Sequence, residues 1–291
     1  MVTSAASRSE RIAPRLRAMR LTIVGARSFI GAVVAAAARG RDHEVVVTPH
    51  DQIPDGDLGV VVYCSGIPWG ADAQPREAFR LHVSAPLEWL DTRRFERLIY
   101  LSSARVYDRS ASTHEDTTLA TLPSDAQSVY VASKIAGEAA MLECSERTIV
   151  LRPSNVFGAN LESHVFLSDI IRQAVTTGRM TIRTALWSSK DYVDVHEVAY
   201  VILKIAAASR HRVYNVASGR NTTHQAIVER IAALVPAEVS VERDAPVVVA
   251  PAIDVNRICE EFDFRPSDLI AALPDIVKAF QAAAGGRTQK R

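Results

Sequence analysis

Short apolar runs alternate with longer helical segments along the first half of the chain. Five of these runs predict strands covered on both faces of a sheet, because such strands are nearly continuous in Val, Ile and Leu. They lie at residues 21–24, 43–48, 60–64, 97–101 and 148–151. Helices are predicted between them, for example over 77–90 and 130–143. Strand alternating with helix predicts a doubly wound parallel α/β sheet of the Rossmann type.

The connection between the second and third predicted strands is short. Only residues 50–59 separate them, and they include Pro54, Gly56 and Gly59. A further strand with its crossover helix needs a dozen residues or more. The third β-α unit of such a sheet is therefore predicted to be missing or reduced to a loop.

After about residue 158 the alternation loosens, which predicts a smaller C-terminal α/β substrate domain. We predict a disordered leader at 1–18, a dinucleotide-binding domain at 19–158 with a return segment at about 190–212, a mainly substrate-binding domain at 159–284 and a frayed tail at 285–291. The leader carries four arginines but no apolar core segment, so it does not resemble a secretory signal. Met19 is a plausible alternative start.

Composition narrows the classes of function. Apolar residues make up 48% of the 291-residue chain and charged residues 23%, so a packed core is expected. The net charge of +1 gives no electrostatic reason to expect a nucleic acid or a membrane surface as partner. No apolar run approaches the ~20 residues of a membrane span. The three scattered cysteines lack CxxC spacing, which argues against a zinc site or disulfides and fits the reducing cytoplasm.

A glycine turn lies directly between the first strand and the first helix. Glycines here let the backbone approach a pyrophosphate, while the helix N-terminus offers free N–H groups and a positive dipole end. The usual middle glycine is replaced by serine, which is small and can donate a hydrogen bond to phosphate. The predicted cofactor contacts in this turn are Gly25, Arg27, Ser28, Phe29, Ile30 and Gly31.

The end of the second strand bears on the choice between NAD and NADP. An acidic residue there binds the ribose 2′-hydroxyl of NAD, and its absence permits the 2′-phosphate of NADP. Thr48, Pro49 and His50 occupy this place, and no acid occurs before Asp51. The sequence predicts NAD(P) with a slight preference for NADP, and His50 or Arg27 as the phosphate ligand.

Tyr130 and Lys134 are four residues apart on a predicted helix, so their side chains lie on one face. A free tyrosine titrates near pH ~10, and a neighbouring ammonium favours the phenolate. The pair is therefore a candidate for proton transfer at neutral pH. By itself the YxxxK spacing is a weak signal.

Several segments in one order resemble the extended short-chain dehydrogenase/reductase superfamily, of the NAD-dependent epimerase/dehydratase type. VGARSFIG is similar to TGxxGFIG, YLSSARVYD to the strand that carries the catalytic serine or threonine, and YVASKIAGE to YxxSKxxGE. LRPSNVFGAN resembles LRxxNVYGP, and KDYVDVHEVA resembles RDYVHVxDVA. LHVSAPLEWL resembles NVxGTxxLL, with His82 where asparagine is usual. The resemblance covers about residues 19–280.

The resemblance implies a catalytic trio. Tyr130 is the general acid/base, and Lys134 binds the nicotinamide ribose and lowers the pKa of the tyrosine. Ser103 orients the substrate hydroxyl or carbonyl, and it follows a sheet strand, where open α/β sheets bind ligands. The cofactor takes or gives the hydride.

The resemblance also implies substrate and further cofactor contacts. Asn155 matches a substrate-contacting asparagine, and Lys190 stands where an arginine meets the phosphates of a nucleotide sugar. A lysine there supplies charge without the bidentate fork of arginine. Ser65 lies in VVVYCSG, which resembles the VIHxAA segment of the family, and Pro153 lies in LRPSNVFGAN. Both are further expected cofactor contacts.

The expected reaction is narrowed by the residues after Ser103. The 4,6-dehydratases of the family carry an Asp-Glu pair there for the elimination of water, whereas this chain has Ala104 and Arg105. A keto-sugar reductase or a 4-epimerase acting on a nucleotide-diphosphate sugar is therefore expected. The resemblance to the family also implies a homodimer. A non-catalytic NADP-binding sensor or scaffold is the alternative, although such a protein has no need of the whole trio.

Overall fold

The computed structural model describes residues 18–68, 75–122 and 128–288, with side chains to residue 285. Its strands are β1 (Arg20–Val24), β2 (Glu44–Thr48), β3 (Val60–Tyr63), β4 (Arg97–Leu101), β5 (Thr148–Pro153), β6 (Asn155–Phe157), β7 (Arg179–Ile182), β8 (Ser189–Asp194), β9 (Val213–Val216), β10 (Asn221–Thr223) and β11 (Glu238–Val241). Its helices are α1 (Phe29–Arg39), α2 (Pro75–Phe79), α3 (Ala85–Asp91), α4 (Ser128–Cys144), α5 (Phe166–Thr177), α6 (Val195–Ala207), α7 (His224–Leu234), α8 (Asn256–Phe262) and α9 (Leu269–Thr288). Residues 1–17 of the predicted leader lie outside the described part of the chain.

A six-stranded parallel sheet forms the centre of the fold, in the order β2-β1-β3-β4-β5-β9. The five apolar runs supply its first five strands, and β3 is buried at every position. Helices cover both faces, with α1 and α6 on one side and α3 and α4 on the other. The predicted doubly wound α/β fold is confirmed.

The connection from β2 to β3 is a loop without a strand or helix, as the residue count predicts. Arg94 anchors it, donating from Nη1 to the Gly56 carbonyl at 2.7 Å and from Nη2 to the Pro54 carbonyl at 3.0 Å. The Thr22 hydroxyl donates to the carbonyl of the buried Leu58 at 2.7 Å. Because no third β-α unit covers it, β2 is the edge strand of the sheet.

The last strand of the sheet comes from late in the chain. β9 pairs in parallel with β5, and α6 packs against α1 in the same apolar cluster. The segment that returns to the central sheet therefore ends at Val216, whereas the sequence predicted that it ends at about residue 212. Tyr214 and Val216 are fully buried there. The proposed domain boundaries stay a prediction.

A second apolar cluster lies among α5, α7 and α9, with the smaller sheets β10-β8-β6 and β11-β7. The last helix continues to Thr288, which lies within the predicted frayed tail. Ala282, Ala283 and Ala284 precede that part of the chain, and alanine has the highest helix propensity. Among the described helices, none is long and apolar enough to cross a membrane.

The helix predicted over 77–90 is divided by a π-helical turn at Arg80–Ser84. Pro86 has no backbone N–H, so it cannot donate to the carbonyl of His82 one turn earlier. That carbonyl instead accepts from the Tyr100 hydroxyl at 2.9 Å. π-turns of this kind are frequent at functional sites, and this one brings His82 towards α4.

Candidate active site

Ser103 and Tyr130 meet at the carboxyl end of the central sheet. Ser103 follows β4 in an extended conformation and begins a short 3₁₀ helix, where its Oγ accepts from the Arg105 amide at 3.2 Å. Tyr130 lies in the first turn of α4 and is hydrogen-bonded to the Ser103 side chain. Two residues that are far apart in the sequence therefore share one hydrogen bond.

The pKa of Tyr130 is raised above its ordinary value, because burial penalises the phenolate. The hydrogen bond to Ser103 and the positive charge of Arg105 oppose this effect, while Asp108 adds to it. The resemblance implies a pKa lowered by Lys134, but burial dominates in the structure. Tyr130 therefore stays protonated at neutral pH.

Lys134 is buried one turn further along α4, with 4% of its surface exposed. Its Nζ donates to the Leu101 carbonyl at 2.9 Å and lies 5.2 Å from the centre of the Tyr100 ring. Burial lowers the pKa of Lys134 to about 7, against the opposing effects of Glu138 and Cys64. The ammonium is thus held at the end of β4, the strand that Ser103 follows.

His82 connects the loop after β3 to the helix that carries Tyr130. The Ile67 amide donates to Nε2 at 3.1 Å, so the ring proton lies on Nδ1, which donates to Ser133 Oγ at 2.8 Å. Ser133 Oγ in turn donates to the Tyr130 carbonyl at 2.9 Å. Burial and the charge of Lys134 lower the pKa of His82 to about 2. The imidazole therefore stays neutral and holds α4 at Tyr130.

The glycine turn fits the pyrophosphate of a dinucleotide. Gly25 has a φ of +80°, and a Cβ there would lie 2.5 Å from Ser65 Oγ. A Cβ on Gly31 would lie 2.5 Å from the Gly25 carbonyl oxygen. Ser28 caps α1 with extended dihedral angles and accepts from the Gly31 amide at 3.1 Å. Serine therefore replaces the usual middle glycine without backbone strain.

The other predicted cofactor contacts surround this turn. Arg27 is exposed, and Phe29 packs against Gly158, where a Cβ would lie 2.9 Å from the Phe29 ring. Ile30 and Pro153 line the cavity that contains Ser103 and Tyr130. The glycine turn and the candidate catalytic residues thus belong to one continuous site.

At the end of β2 the structure places an arginine beside His50. Arg80 Nη1 lies 2.9 Å from His50 Nε2, and its guanidinium is held by Glu77 through bonds of 2.7 and 2.8 Å. No motif in the sequence points to Arg80, which is 30 residues from His50. Only the fold shows that an arginine lies beside His50, one of the two phosphate ligands predicted from the sequence.

Two neighbouring cavities share part of their lining, and Ser103 lines the first of them. The first, of about 270 Å³, contains Ser103 and Tyr130. The second, of about 630 Å³, contains Lys190 and Tyr192. Arg105, Asn155, Val156, Val165 and Pro68 line both. A ligand that spans both cavities would reach from the catalytic hydroxyls to Lys190.

Asn155 is held at the wall shared by the two cavities. Its Nδ2 donates to the Asp191 carbonyl at 2.7 Å. The Asp191 carboxylate accepts from the amides of Ser218 and Arg220, at 2.9 and 3.0 Å. Asp191 is thus a structural group that positions the expected substrate contact.

A buried ion pair that the motifs did not reveal joins α4 to β5. Arg152 donates to the Glu138 carboxylate through Nε at 3.0 Å and through Nη2 at 2.5 Å. Its Nη1 also donates to the Tyr107 hydroxyl at 2.6 Å and to the Glu115 carbonyl at 3.0 Å. Both residues lie in segments that resemble the family, the glutamate in YVASKIAGE and the arginine in LRPSNVFGAN. The sequence does not show that they pair, because only the fold brings them together.

The parallel sheet, the glycine turn and the Ser-Tyr-Lys arrangement together define a class, the dinucleotide-binding enzymes of the short-chain dehydrogenase/reductase type. The model of the NAD dependent epimerase/dehydratase family matches residues 60–217, which is more than half of the chain. The protein belongs to this family, and its cofactor is NAD(P). A search of curated proteins finds no significant match.

Solved structures share the fold at low sequence identity. RMD from Pseudomonas aeruginosa, complexed with NADPH, is 22% identical with a TM-score of 0.76, over 91% of this chain and 99% of that one. The NAD-dependent NDP-hexosamine 5,6-dehydratase TunA is 17% identical with a TM-score of 0.79, over 90% and 98%. The UDP-N-acetylglucosamine 4-epimerase from Methanobrevibacter ruminantium M1, in complex with UDP-N-acetylmuramic acid, is 19% identical with a TM-score of 0.77, over 91% and 99%.

Proposed function

We propose that the protein is an NAD(P)-dependent oxidoreductase acting on a nucleotide-diphosphate sugar, as a keto-sugar reductase or a 4-epimerase. The observation that carries the proposal is the hydrogen bond between Ser103 and Tyr130 in a cavity that also reaches the glycine turn through Ile30. A scaffold protein without turnover has no need of this arrangement, which counts against the non-catalytic alternative.

The chain's own residues would handle the proton. In the reductive direction Tyr130 Oη gives its proton to the carbonyl oxygen of the substrate, and in the oxidative direction it takes the hydroxyl proton. Ser103 Oγ hydrogen-bonds the same substrate oxygen, and Lys134 holds the nicotinamide ribose. Bound NAD(P) supplies the hydride acceptor or donor. The reductive direction starts from the protonated phenol, which is the form that burial favours.

The residues that follow Ser103, Ala104 and Arg105, argue against a 4,6-dehydratase. Ala104 has no ionisable group, and Arg105 is a permanent cation, so neither supplies the carboxyl groups that this elimination uses. Asp191, which also lines the first cavity, is engaged by Ser218 and Arg220. We therefore favour a reductase or an epimerase.

The nucleotide sugar is supported by the second cavity and by the ligands of similar folds. Lys190 lines this cavity, and burial and Arg105 lower the pKa of its ammonium to about 8. A buried cation is stabilised by a phosphate, and Lys190 is the proposed diphosphate contact. The 4-epimerase of similar fold binds UDP-N-acetylmuramic acid.

The experiment that tests this function measures the melting temperature with a panel of nucleotide sugars in the presence of NAD(P). At a ligand concentration of about 100 Kd, binding stabilises the protein by about 2.7 kcal/mol. We expect at least one nucleotide sugar to raise the melting temperature by several degrees. A panel without any such shift would contradict the proposal. Bound NAD in the purified protein would favour an epimerase, and an empty site would favour a reductase that exchanges its cofactor.

We propose NADP as the preferred cofactor, with the 2′-phosphate bound by Arg80 and His50. Arg80→Gln is expected to weaken NADPH binding by about tenfold and to leave NADH binding unchanged, because only NADPH carries the 2′-phosphate. Calorimetric titration of both cofactors measures this difference. Arg76→Gln, one turn earlier and also exposed, is the matched control. If Arg80→Gln lost affinity equally for NADPH and NADH, Arg80 would not be the ligand of the 2′-phosphate.

A further inference from the structure

Tyr107 is buried at the end of the short helix that Ser103 begins. This 3₁₀ helix covers Ala104–Tyr107, and 1% of the Tyr107 surface is exposed. The helix is bonded to Ser103, whose Oγ accepts from the Arg105 amide and whose carbonyl accepts from the Val106 amide, each at 3.2 Å. Because the helix is a single turn and is bonded to Ser103 in this way, a shift of Tyr107 also shifts Ser103.

The Tyr107 hydroxyl joins this helix to two strands of the central sheet. It accepts from Arg152 Nη1 on β5 at 2.6 Å and donates to Asn215 Oδ1 on β9 at 2.8 Å. The Arg152 guanidinium also lies 5.1 Å from the centre of the Tyr107 ring. Burial raises the pKa of Tyr107 to about 12, so the hydroxyl keeps the proton that it donates to Asn215. Hydrogen bonds from a charged donor are stronger than neutral ones, so Tyr107 is firmly held against the sheet.

Arg152 extends this attachment to α4. Its Nε and Nη2 donate to the two carboxylate oxygens of Glu138, at 3.1 and 2.5 Å. Glu138 follows Tyr130 by about 12 Å along the axis of α4. The bonds from Tyr107 through Arg152 to Glu138 form one buried polar chain. The 3₁₀ helix and α4 are therefore joined twice, by this polar chain at one end and by the Ser103–Tyr130 hydrogen bond at the other.

We propose that Tyr107 is a positioning residue, which holds Ser103 Oγ at the place where it and Tyr130 bind the same substrate oxygen. The inference rests on the proposed function, because it assigns a role in the same reaction. Tyr107 lines neither of the two cavities, so its effect on a ligand there passes through Ser103. A displacement of about 1 Å at a reacting group can lower a rate about 10²-fold. The polar chain is therefore expected to affect turnover more than binding.

The test is a double-mutant cycle of Tyr107→Phe with Ser103→Ala. Tyr107→Phe removes the hydroxyl and keeps the ring. We expect it to lower kcat by about tenfold and to change the Kd of NADPH and of the nucleotide sugar by less than about threefold. In the Ser103→Ala background the same substitution should change kcat by less than about twofold, because the effect of Tyr107 needs the Ser103 hydroxyl. Steady-state turnover and calorimetric titration measure these values.

Tyr214→Phe is the matched control. Tyr214 is also fully buried, and its hydroxyl donates to Glu261 Oε2 at 2.7 Å, but it lines neither cavity and lies outside the polar chain. Its substitution removes a comparable hydrogen bond, so it should lower the melting temperature like Tyr107→Phe and leave kcat unchanged. If Tyr107→Phe does not fold, Glu138→Leu/Arg152→Met takes its place in the cycle, because it removes the guanidinium and keeps the phenol.

Hydrogen exchange provides a measurement that needs no substrate. The amides of Arg105 and Val106 are bonded to Ser103, and local opening of the 3₁₀ helix exposes them to exchange. Tyr107→Phe should speed up their exchange several-fold, whereas Tyr214→Phe should not. Exchange at the wild-type rate in Tyr107→Phe would contradict the proposal.

The outcomes separate this inference from the proposed function. An unchanged kcat in Tyr107→Phe, or an equal loss of kcat with and without the Ser103 hydroxyl, would overturn the role of Tyr107. Full turnover by Ser103→Ala, or no turnover of any nucleotide sugar by the wild-type protein, would instead overturn the proposed function.

Discussion

Tyr130→Phe is expected to lower kcat by about 10²–10⁴-fold while cofactor binding stays unchanged, because loss of the phenolic hydroxyl removes the proton donor and general acid–base catalysis contributes a factor of this size. The ring remains to pack at the cavity wall, so the cofactor affinity should not change. The measurements are steady-state turnover with the nucleotide sugar identified by the binding panel and calorimetric titration of NADPH.

The matched control for this variant is Tyr200→Phe. Tyr200 lies on α6 and lines neither of the two cavities beside Ser103, so its hydroxyl should not affect turnover. Full activity of Tyr130→Phe would exclude the proposed proton transfer. Loss of cofactor binding together with activity would assign Tyr130 to the cofactor site instead.

Glu138→Gln is expected to destabilise the protein by about 3–5 kcal/mol, because it leaves the buried Arg152 guanidinium without its counter-charge. Both side chains are at most 4% exposed, and the pair is bidentate, with Arg152 Nε donating to Glu138 Oε1 at 3.1 Å and Nη2 donating to Oε2 at 2.5 Å. The change also weakens the attachment of α4, which carries Tyr130 and Lys134, to β5. Urea denaturation measures the free energy of unfolding.

A neighbouring glutamate provides the comparison for this second variant. Glu143→Gln, exposed near the end of the same helix, should change the free energy of unfolding by no more than about 0.5 kcal/mol. The double variant Glu138→Leu/Arg152→Met should recover much of the loss, since it removes both charges. A loss below about 1 kcal/mol in Glu138→Gln would show that water or other groups compensate the guanidinium.

The apolar runs by themselves determined five of the six strands of the central sheet, whereas the sixth, β9, comes from later in the chain. Runs such as 60–64 and 97–101 are short, rich in Val, Ile and Leu, and typical of strands buried on both faces, so the parallel α/β fold followed from local pattern. The short count of residues at 50–59 likewise excluded a third β-α unit. The family followed from motifs that are each contiguous in the sequence, such as YVASKIAGE.

The tertiary structure alone decided which distant residues meet and how their environment changes their chemistry. Arg80 reaches His50 because the loop after β2 and the helix after β3 lie at one edge of the sheet. Burial, which no motif encodes, raises the pKa of Tyr130 where the YxxxK pair predicts a lowering. Arg105, which follows β4, and Lys190, on β8, line one cavity although they are far apart in the sequence. Sequence patterns record local periodicity, whereas charge, burial and hydrogen bonding at a site depend on contacts between elements that are far apart along the chain.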